Sequence, residues 1–195
     1  MSNEPKQNIF VFVDTETTGL HLTKHGIIQI GAYATGETLS DFKGYFVRDC
    51  DPTSGGGDST DIEIDPSALA INGFTAGRIF DSKPTSHVMW EFADFLIDLE
   101  KKNSAEATLV FHAAKFDAPR LEIAAERTCV SLPWMRRVLC TITQGFVTYG
   151  ETLSLDKLAE KCGVSNGMKH DALADAITTA GVFHHLREIC VSRFN

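Results

Sequence analysis

The stretch "NIFVFVDTETTGL", residues 8 to 20, holds five successive apolar residues, Ile9 to Val13, and then ends abruptly on two carboxylates, Asp14 and Glu16. An unbroken apolar run without polar alternation predicts a strand covered on both faces, and so one near the middle of a sheet. Its C-terminal end then opens onto a concave site rather than a frayed edge. Side chains alternate along a strand, so Asp14 and Glu16 share a face if the strand continues through them. Two like charges held side by side repel. The arrangement persists where a cation lies between them, and paired carboxylate oxygens suit Mg²⁺ or Mn²⁺. A partner Arg or Lys, or hydration alone, would also serve on this stretch by itself.

A chain of 195 residues with 43% hydrophobic content can bury one sizeable core. The expectation is a single domain over 1–195, with its core at about 8–190. No stretch reaches the roughly 18 to 20 consecutive apolar residues of a membrane span, and "MSNEPKQN" lacks the basic-then-apolar build of a signal peptide. A cytoplasmic location with no membrane partner is expected. The five cysteines, Cys50, Cys129, Cys140, Cys162 and Cys190, are scattered without a C-x-x-C, which suggests neither a disulfide framework nor a structural zinc site. A formal charge of −8 argues against a protein that coats long nucleic acid through a broad basic face. It leaves room for one that grips a chain end, because bound metal ions can themselves supply positive charge at a phosphate.

Further along, "GIIQIGAYA" (Gly26 to Ala34) and "DFKGYFVR" (Asp41 to Arg48) are expected as strands, and their short link favours antiparallel neighbours. The Gly-, Asp- and Ser-rich segment 49–66 is expected to be a mobile, solvated loop. It begins like a calcium loop at Asp49 and Asp51. Ser54 then stands where the sharp-turn glycine belongs and Thr60 where the bidentate Glu belongs. Met89, Phe92, Phe95, Leu96 and Leu99 form one stripe at helical spacing, which predicts a helix over Thr85 to Lys101. "ATLVFH" follows as a strand, then a helix with Pro119 in its first turn, a helix from an N-cap at Ser154 to Gly163, and a last helix over about 172–189. Strands followed by helices with mixed connections describe an α/β domain.

Three places break their local pattern with acidic or imidazole groups, all at element ends: Asp14 and Glu16; Asp117 in "VFHAAKFDAPRLE"; His170 and Asp175 in "KHDALADAITTAGVF". Singly, Asp117 reads as a helix N-cap, Asp175 as a polar face residue and His170 as a surface histidine. Together, and in this order, they resemble the DnaQ-like 3′→5′ exonucleases with the DEDDh motif set, the family of polymerase proofreading subunits, ribonuclease T and oligoribonuclease. "DTETTGL" is similar to its first motif, "HAAKFDAPRLE" to its second and "HDALADA" to its third, while "GIIQIGA", "ALAINGFT" and "SLDKLAEKCGV" fill the gaps. The resemblance implies a ribonuclease H-like fold, a mixed sheet of about five strands, three of them antiparallel, flanked by helices. It assigns metal ligation to Asp14, Glu16, Asp117 and Asp175 and the general base to His170. Four carboxylates suit two divalent ions, and a histidine, with an ordinary pKa near 6.5, can accept a proton at neutral pH. His170 and Asp175 lie about 140° apart on an ideal helix, so the base is expected in the turn before it.

Two stretches depart from the family pattern. Ala113 stands where motif two usually carries Asn after its histidine, here His112, and "ALAINGFT" has Asn72 and Phe74 where many relatives have His and Ile. Thr17, Leu20, Asn72, Phe74 and His112 are the expected substrate contacts. Leu20 and Phe74 are candidate wedges against the terminal base, although Phe74 serves equally well as a core residue. The function implied is removal of 5′-mononucleotides from nucleic-acid 3′ ends, single-stranded DNA being favoured over RNA, with a polymerase or another repair or replication protein as a possible partner. The alternatives are an exoribonuclease of the ribonuclease T type and a non-catalytic nucleic-acid adaptor on the same fold.

Overall fold

The computed structural model of the protein describes residues 8–54, 61–167 and 170–192. The apolar run becomes β1 (Asn8–Thr17), and Ile9 to Val13 are all buried, as a two-faced strand requires. β1 pairs antiparallel with β2 (Ile27–Thr35), which pairs antiparallel with β3 (Gly44–Asp51). On its other side β1 runs parallel to β5 (Glu106–Phe111). Two short strands close the ends: β4 (Lys83–Pro84) beside β3, and β6 (Val138–Cys140) beside β5. The sheet order is β4-β3-β2-β1-β5-β6, so it has six strands rather than about five, with the expected antiparallel trio at its centre.

Odd and even residues of β1 sort into two cores. Ile9, Val11 and Val13 join the larger cluster, packed against α3 (Thr85–Asn103) and α4 (Ala114–Arg127) through Phe92, Leu96 and Leu121. Phe10 and Phe12 turn the other way, onto Ala176, Ala180 and Phe183 of α7 (Ala172–Ser192). This alternation carries forward to the chemistry, since positions 14 and 16 continue the face that looks toward α7. A register shift between Glu16 and Thr17 then ends the regular ladder. Because β1 and β5 are parallel, the chain leaves both strands at the same edge of the sheet, and α4 follows β5 there.

Several boundaries differ from the sequence reading. The segment expected as a mobile loop begins in strand, since β3 runs to Asp51, and it ends at Asp65, whose carboxylate caps α1 (Pro66–Asn72) by accepting from Ser67 N; residues 55–60 lie outside those described. The turn between strands two and three extends further than expected, because β3 starts at Gly44 rather than Asp41. Pro119 lies past the first turn of α4, which starts at Ala114, so Asp117 is inside the helix and not its N-cap. Ser154 occupies the N-cap of α6 (Leu155–Cys162) without a side-chain cap hydrogen bond. The short helices α1, α2 (Ala76–Phe80) and α5 (Thr141–Tyr149) have no counterpart in the periodicity analysis.

α7 rests unusually closely on β2. A Cβ at Gly31 would fall 2.2 Å from the carbonyl carbon of Ala172 and 2.3 Å from the amide nitrogen of Leu173. Gly31 is also the residue paired with Asp14. Only a residue without a side chain lets the start of α7 reach the strand beside the two carboxylates. Replacing it with Ala must push backbone, not a flexible side chain. Gly31→Ala is therefore expected to destabilise the fold by about 1–3 kcal/mol, a melting temperature lower by roughly 2–4 °C per kcal/mol at this chain size, as measured by thermal denaturation.

Candidate active site

Three elements converge at the sheet edge where β1 ends. Asp14 and Glu16 come from β1 and Asp175 from the first turn of α7, and each offers a carboxylate oxygen within 4.8 Å of the others. Asp117 stands beside them on α4. It is 3% exposed and takes a 2.7 Å hydrogen bond from the Thr15 hydroxyl, which projects from β1 on the face opposite Asp14. Among the described residues, none of these four carboxylates forms a salt bridge with Lys or Arg. The donor set, hard oxygens with net negative charge, fits divalent cations such as Mg²⁺ or Mn²⁺.

Protonation reflects this crowding. Burial pushes the Asp14 carboxyl well up, and the charges of Asp117, Asp175, Glu16 and Asp171 push it further. Glu16 rises to about 7, chiefly through burial and then through Asp175 and Asp117, with a hydrogen bond from Asn72 acting the other way. Burial lifts Asp117 to about 6 against the hydrogen bond from Thr15 and the nearby charge of Arg120. Asp175 is also raised by burial, and the charge and backbone hydrogen bond of His170 oppose that rise.

His170 is exposed, in the turn directly before α7, with a left-handed backbone (φ 59°). This conformation is uncommon for a residue other than glycine. The turn ends at Asp171, whose carboxylate accepts from Ala174 N at 3.0 Å and so caps α7. The imidazole is thus placed next to Asp175 but off the helix, as its spacing implies.

The remaining sequence candidates separate into two groups. Thr17 is buried and donates to the Gly19 carbonyl at 2.9 Å, while Leu20 at the following tip is 78% exposed. Asn72 is buried and braces the end of β1, its amide donating to the Thr17 carbonyl at 3.1 Å and its oxygen accepting from Phe74 N at 3.1 Å. Phe74 and His112 are not at the surface. Phe74 is 5% exposed, packed with Ile28 and Ile79 and covered by the Arg78 guanidinium 3.7 Å from its ring centre, so it is a core residue and not a wedge. His112 is buried, paired through Nδ1 with the Thr141 hydroxyl at 2.9 Å, and burial lowers it to about 4, which keeps it neutral at ordinary pH.

Sequence reasoning missed Gln29. Its side-chain oxygen accepts from Ala172 N at 2.9 Å, and its amide donates to Asp49 at 2.8 Å, which in turn takes a bidentate pair of bonds from Arg78. Gln29 therefore fastens the first turn of α7, and with it Asp175, to β2. A signal existed: Gln29 is the one strongly polar side chain in a strand that is buried at every position, and a buried polar group asks for a partner. Asp171, which adds a fifth negative charge, was passed over as part of a motif.

Unfolded carboxyls titrate near 4, so each of these groups holds its proton more tightly when folded. From about pH 4 to about 7 the folded state binds more protons than the unfolded one, and this contribution to stability falls as pH rises through that window and stays low above it. A divalent cation removes the repulsion and binds only the folded site. The melting temperature in EDTA is expected to fall between about pH 5 and pH 8. Excess Mg²⁺ should raise it more at the higher pH, and Asp14→Asn should blunt both effects in the same thermal scans.

Comparison with known proteins places this geometry. The exonuclease family model RNase_T matches residues 11–183. The PolC-type DNA polymerase III of Thermotoga maritima is 28% identical over 177 residues, which cover 89% of this chain and 11% of that protein. The chain thus spans about a tenth of the curated relatives it matches. Among solved structures, the nuclease domain of 3′hExo, a DEDDh family member bound to rAMP, superposes with a TM-score of 0.74 at 15% identity, covering 94% of this chain and 93% of that one. The zinc-bound E. coli ExoI–ssDNA complex superposes with a TM-score of 0.75 at 17% identity, covering 97% of this chain and 42% of that one. A family match over most of the chain, together with Asp14, Glu16 and Asp175 gathered from the first and third motifs and Asp117 of the second near them, identifies the protein as a member of the exonuclease family, of the DnaQ-like DEDDh type.

Proposed function

We propose that the protein is a metal-dependent 3′→5′ exonuclease that releases nucleoside 5′-monophosphates from single-stranded DNA ends. The observation that carries this reading is the cluster of Asp14, Glu16 and Asp175 within 4.8 Å, with Asp117 alongside and no cationic side chain paired to it among the described residues. Asp14, Glu16, Asp117 and Asp175 would hold two Mg²⁺ or Mn²⁺ ions, which when bound supply positive charge at the scissile phosphate and polarise the attacking water. His170 takes the proton from that water. Its exposed position in the turn before α7, beside Asp175, leaves the imidazole free to approach substrate. Thr17 and the Glu16 backbone border the place of the terminal sugar, and Leu20 abuts the terminal base.

The likeness to the PolC-type polymerase, at the sequence level, supports DNA as substrate and a replication or repair protein as partner. The rAMP in the 3′hExo structure keeps RNA in view as the second reading. A duplex end must unstack and separate before a wedge such as Leu20 can enter, so single-stranded ends are expected to shorten faster than blunt duplex. We read its place of work as a cytoplasm and its chain as a single catalytic domain.

The test is a time course on matched DNA and RNA oligonucleotides labelled at the 5′ end. A ladder shortening from the 3′ end on DNA, absent in EDTA and restored by Mg²⁺ or Mn²⁺, is the expected result. Internal cuts, 5′ shortening or activity confined to RNA would overturn the corresponding part. Folded Asp175→Asn is expected to lose nearly all activity. His170→Ala should lose on the order of 10²–10⁴ in rate while its melting temperature still rises with metal, and wild-type rates in that variant would make His170 a bystander.

A further inference from the structure

Arg120 is 7% exposed, one turn beyond Asp117 on α4. A buried guanidinium is costly unless its donors are satisfied, yet among the described residues Arg120 forms no salt bridge, Asp117 acts on it only as a nearby charge, and its Nε has no hydrogen-bond partner. Its two terminal nitrogens go to backbone carbonyls instead: one donates to Phe116 within α4, at 2.7 Å, and the other to Leu20, a hundred positions away. The guanidinium plane stacks on the Phe116 ring, 3.6 Å from its centre. The group is thus clamped on one side and uses its remaining fork to hold the tip of the turn between β1 and β2. Two helical turns on, Arg127 donates to the Thr23 carbonyl of the same turn at 2.9 Å.

The object being held is unusual. Leu20 is the most exposed of the large apolar side chains among the described residues, and its carbonyl is held by Arg120, one helical turn from Asp117 of the acidic site. Left to itself such a tip would fluctuate, and ordering it on each encounter with substrate would cost affinity. The turn is further shaped by His25, whose Nδ1 accepts from His21 N at 2.8 Å and whose ring lies where a Cβ at Gly19 would stand. That ring fixes the base of the turn, and Arg120 fixes its tip.

We propose that Arg120 is a positioning residue that presets Leu20 for the terminal base of the substrate, and so sets the grip on unpaired 3′ ends without touching them. This rests on the exonuclease reading for its substrate, but the strap itself can be read in the free protein. Three variants are needed: Arg120→Ala; Arg120→Lys, which keeps the charge and stem but cannot span two carbonyls and guards against a misfolded Ala variant; and Leu20→Ala. Hydrogen exchange on the substrate-free protein should show faster exchange across residues 18–25 in both Arg120 variants, with the sheet unchanged. On single-stranded DNA, KM should rise roughly tenfold, the order expected for one lost base-stacking contact, with kcat changed far less. The double variant Arg120→Ala, Leu20→Ala should be no worse than Leu20→Ala alone, because the one acts through the other. Unchanged exchange in the turn, or additive losses in the double variant, would overturn the proposal. Faster exchange in the turn with no cleavage of any nucleic acid by the wild type would sustain the strap and overturn the exonuclease reading instead.

Discussion

Repulsion among carboxylates is the constraint around which this protein is arranged. Asp14, Glu16, Asp117 and Asp175 arrive from a strand and two helices, and each is pushed toward its protonated form by burial and, for Asp14 and Glu16, by the others. Left alone, such groups would splay apart. They stay together because the backbone around them is fixed by packing and by hydrogen bonds, nearly all of them to groups other than the carboxylates themselves. Ile9 to Val13 are locked into both cores, Thr15 ties β1 to Asp117, Asn72 braces the carbonyl of Thr17, and Gln29 grips the first turn of α7. The apolar core holds the acidic edge in a geometry that electrostatics alone would disperse.

This division of labour explains why neutral residues next to the site matter as much as the charged ones. Gly31 contributes an absence, the missing side chain that lets α7 approach β2. Gln29 contributes an uncharged acceptor, so the α7 amide is satisfied without adding a further negative charge. Asp171 does add one, but it also caps the helix, and an acidic side chain at a helix N-terminus is favoured by the aligned peptide dipoles.

Much of this was legible in the sequence, and the reason differs from residue to residue. β1 announced itself because an apolar run ending on two acids has few structural explanations. α3 was read closely because nineteen residues give a helical period time to repeat. α1, α2, α5, β4 and β6 were invisible because each is too short for its period to be counted. The acidic residues could be gathered only through the resemblance of their motifs, since spacing along the chain carries no distance in space. Gln29 escaped for the same reason: its partner Ala172 lies 143 positions away. Phe74 shows the limit from the other side, for an aromatic beside a candidate site looks the same in sequence whether it stacks on substrate or fills a core.

The sheet's two ends carry a consequence of their own. A sheet that stops at a long strand offers its row of free N–H and C=O groups to any other chain, which is how edge-to-edge aggregation begins. Here one end is a two-residue strand made of a lysine, whose charge resists burial, and a proline, which has no N–H to donate. At the other, three residues run directly into α5. The guard is local, however: β4 pairs only with Cys50 and Asp51, so among the described residues Gly44 to Asp49 of β3 have no strand on their outer side, and that stretch is where a second chain would have to be kept away by other means.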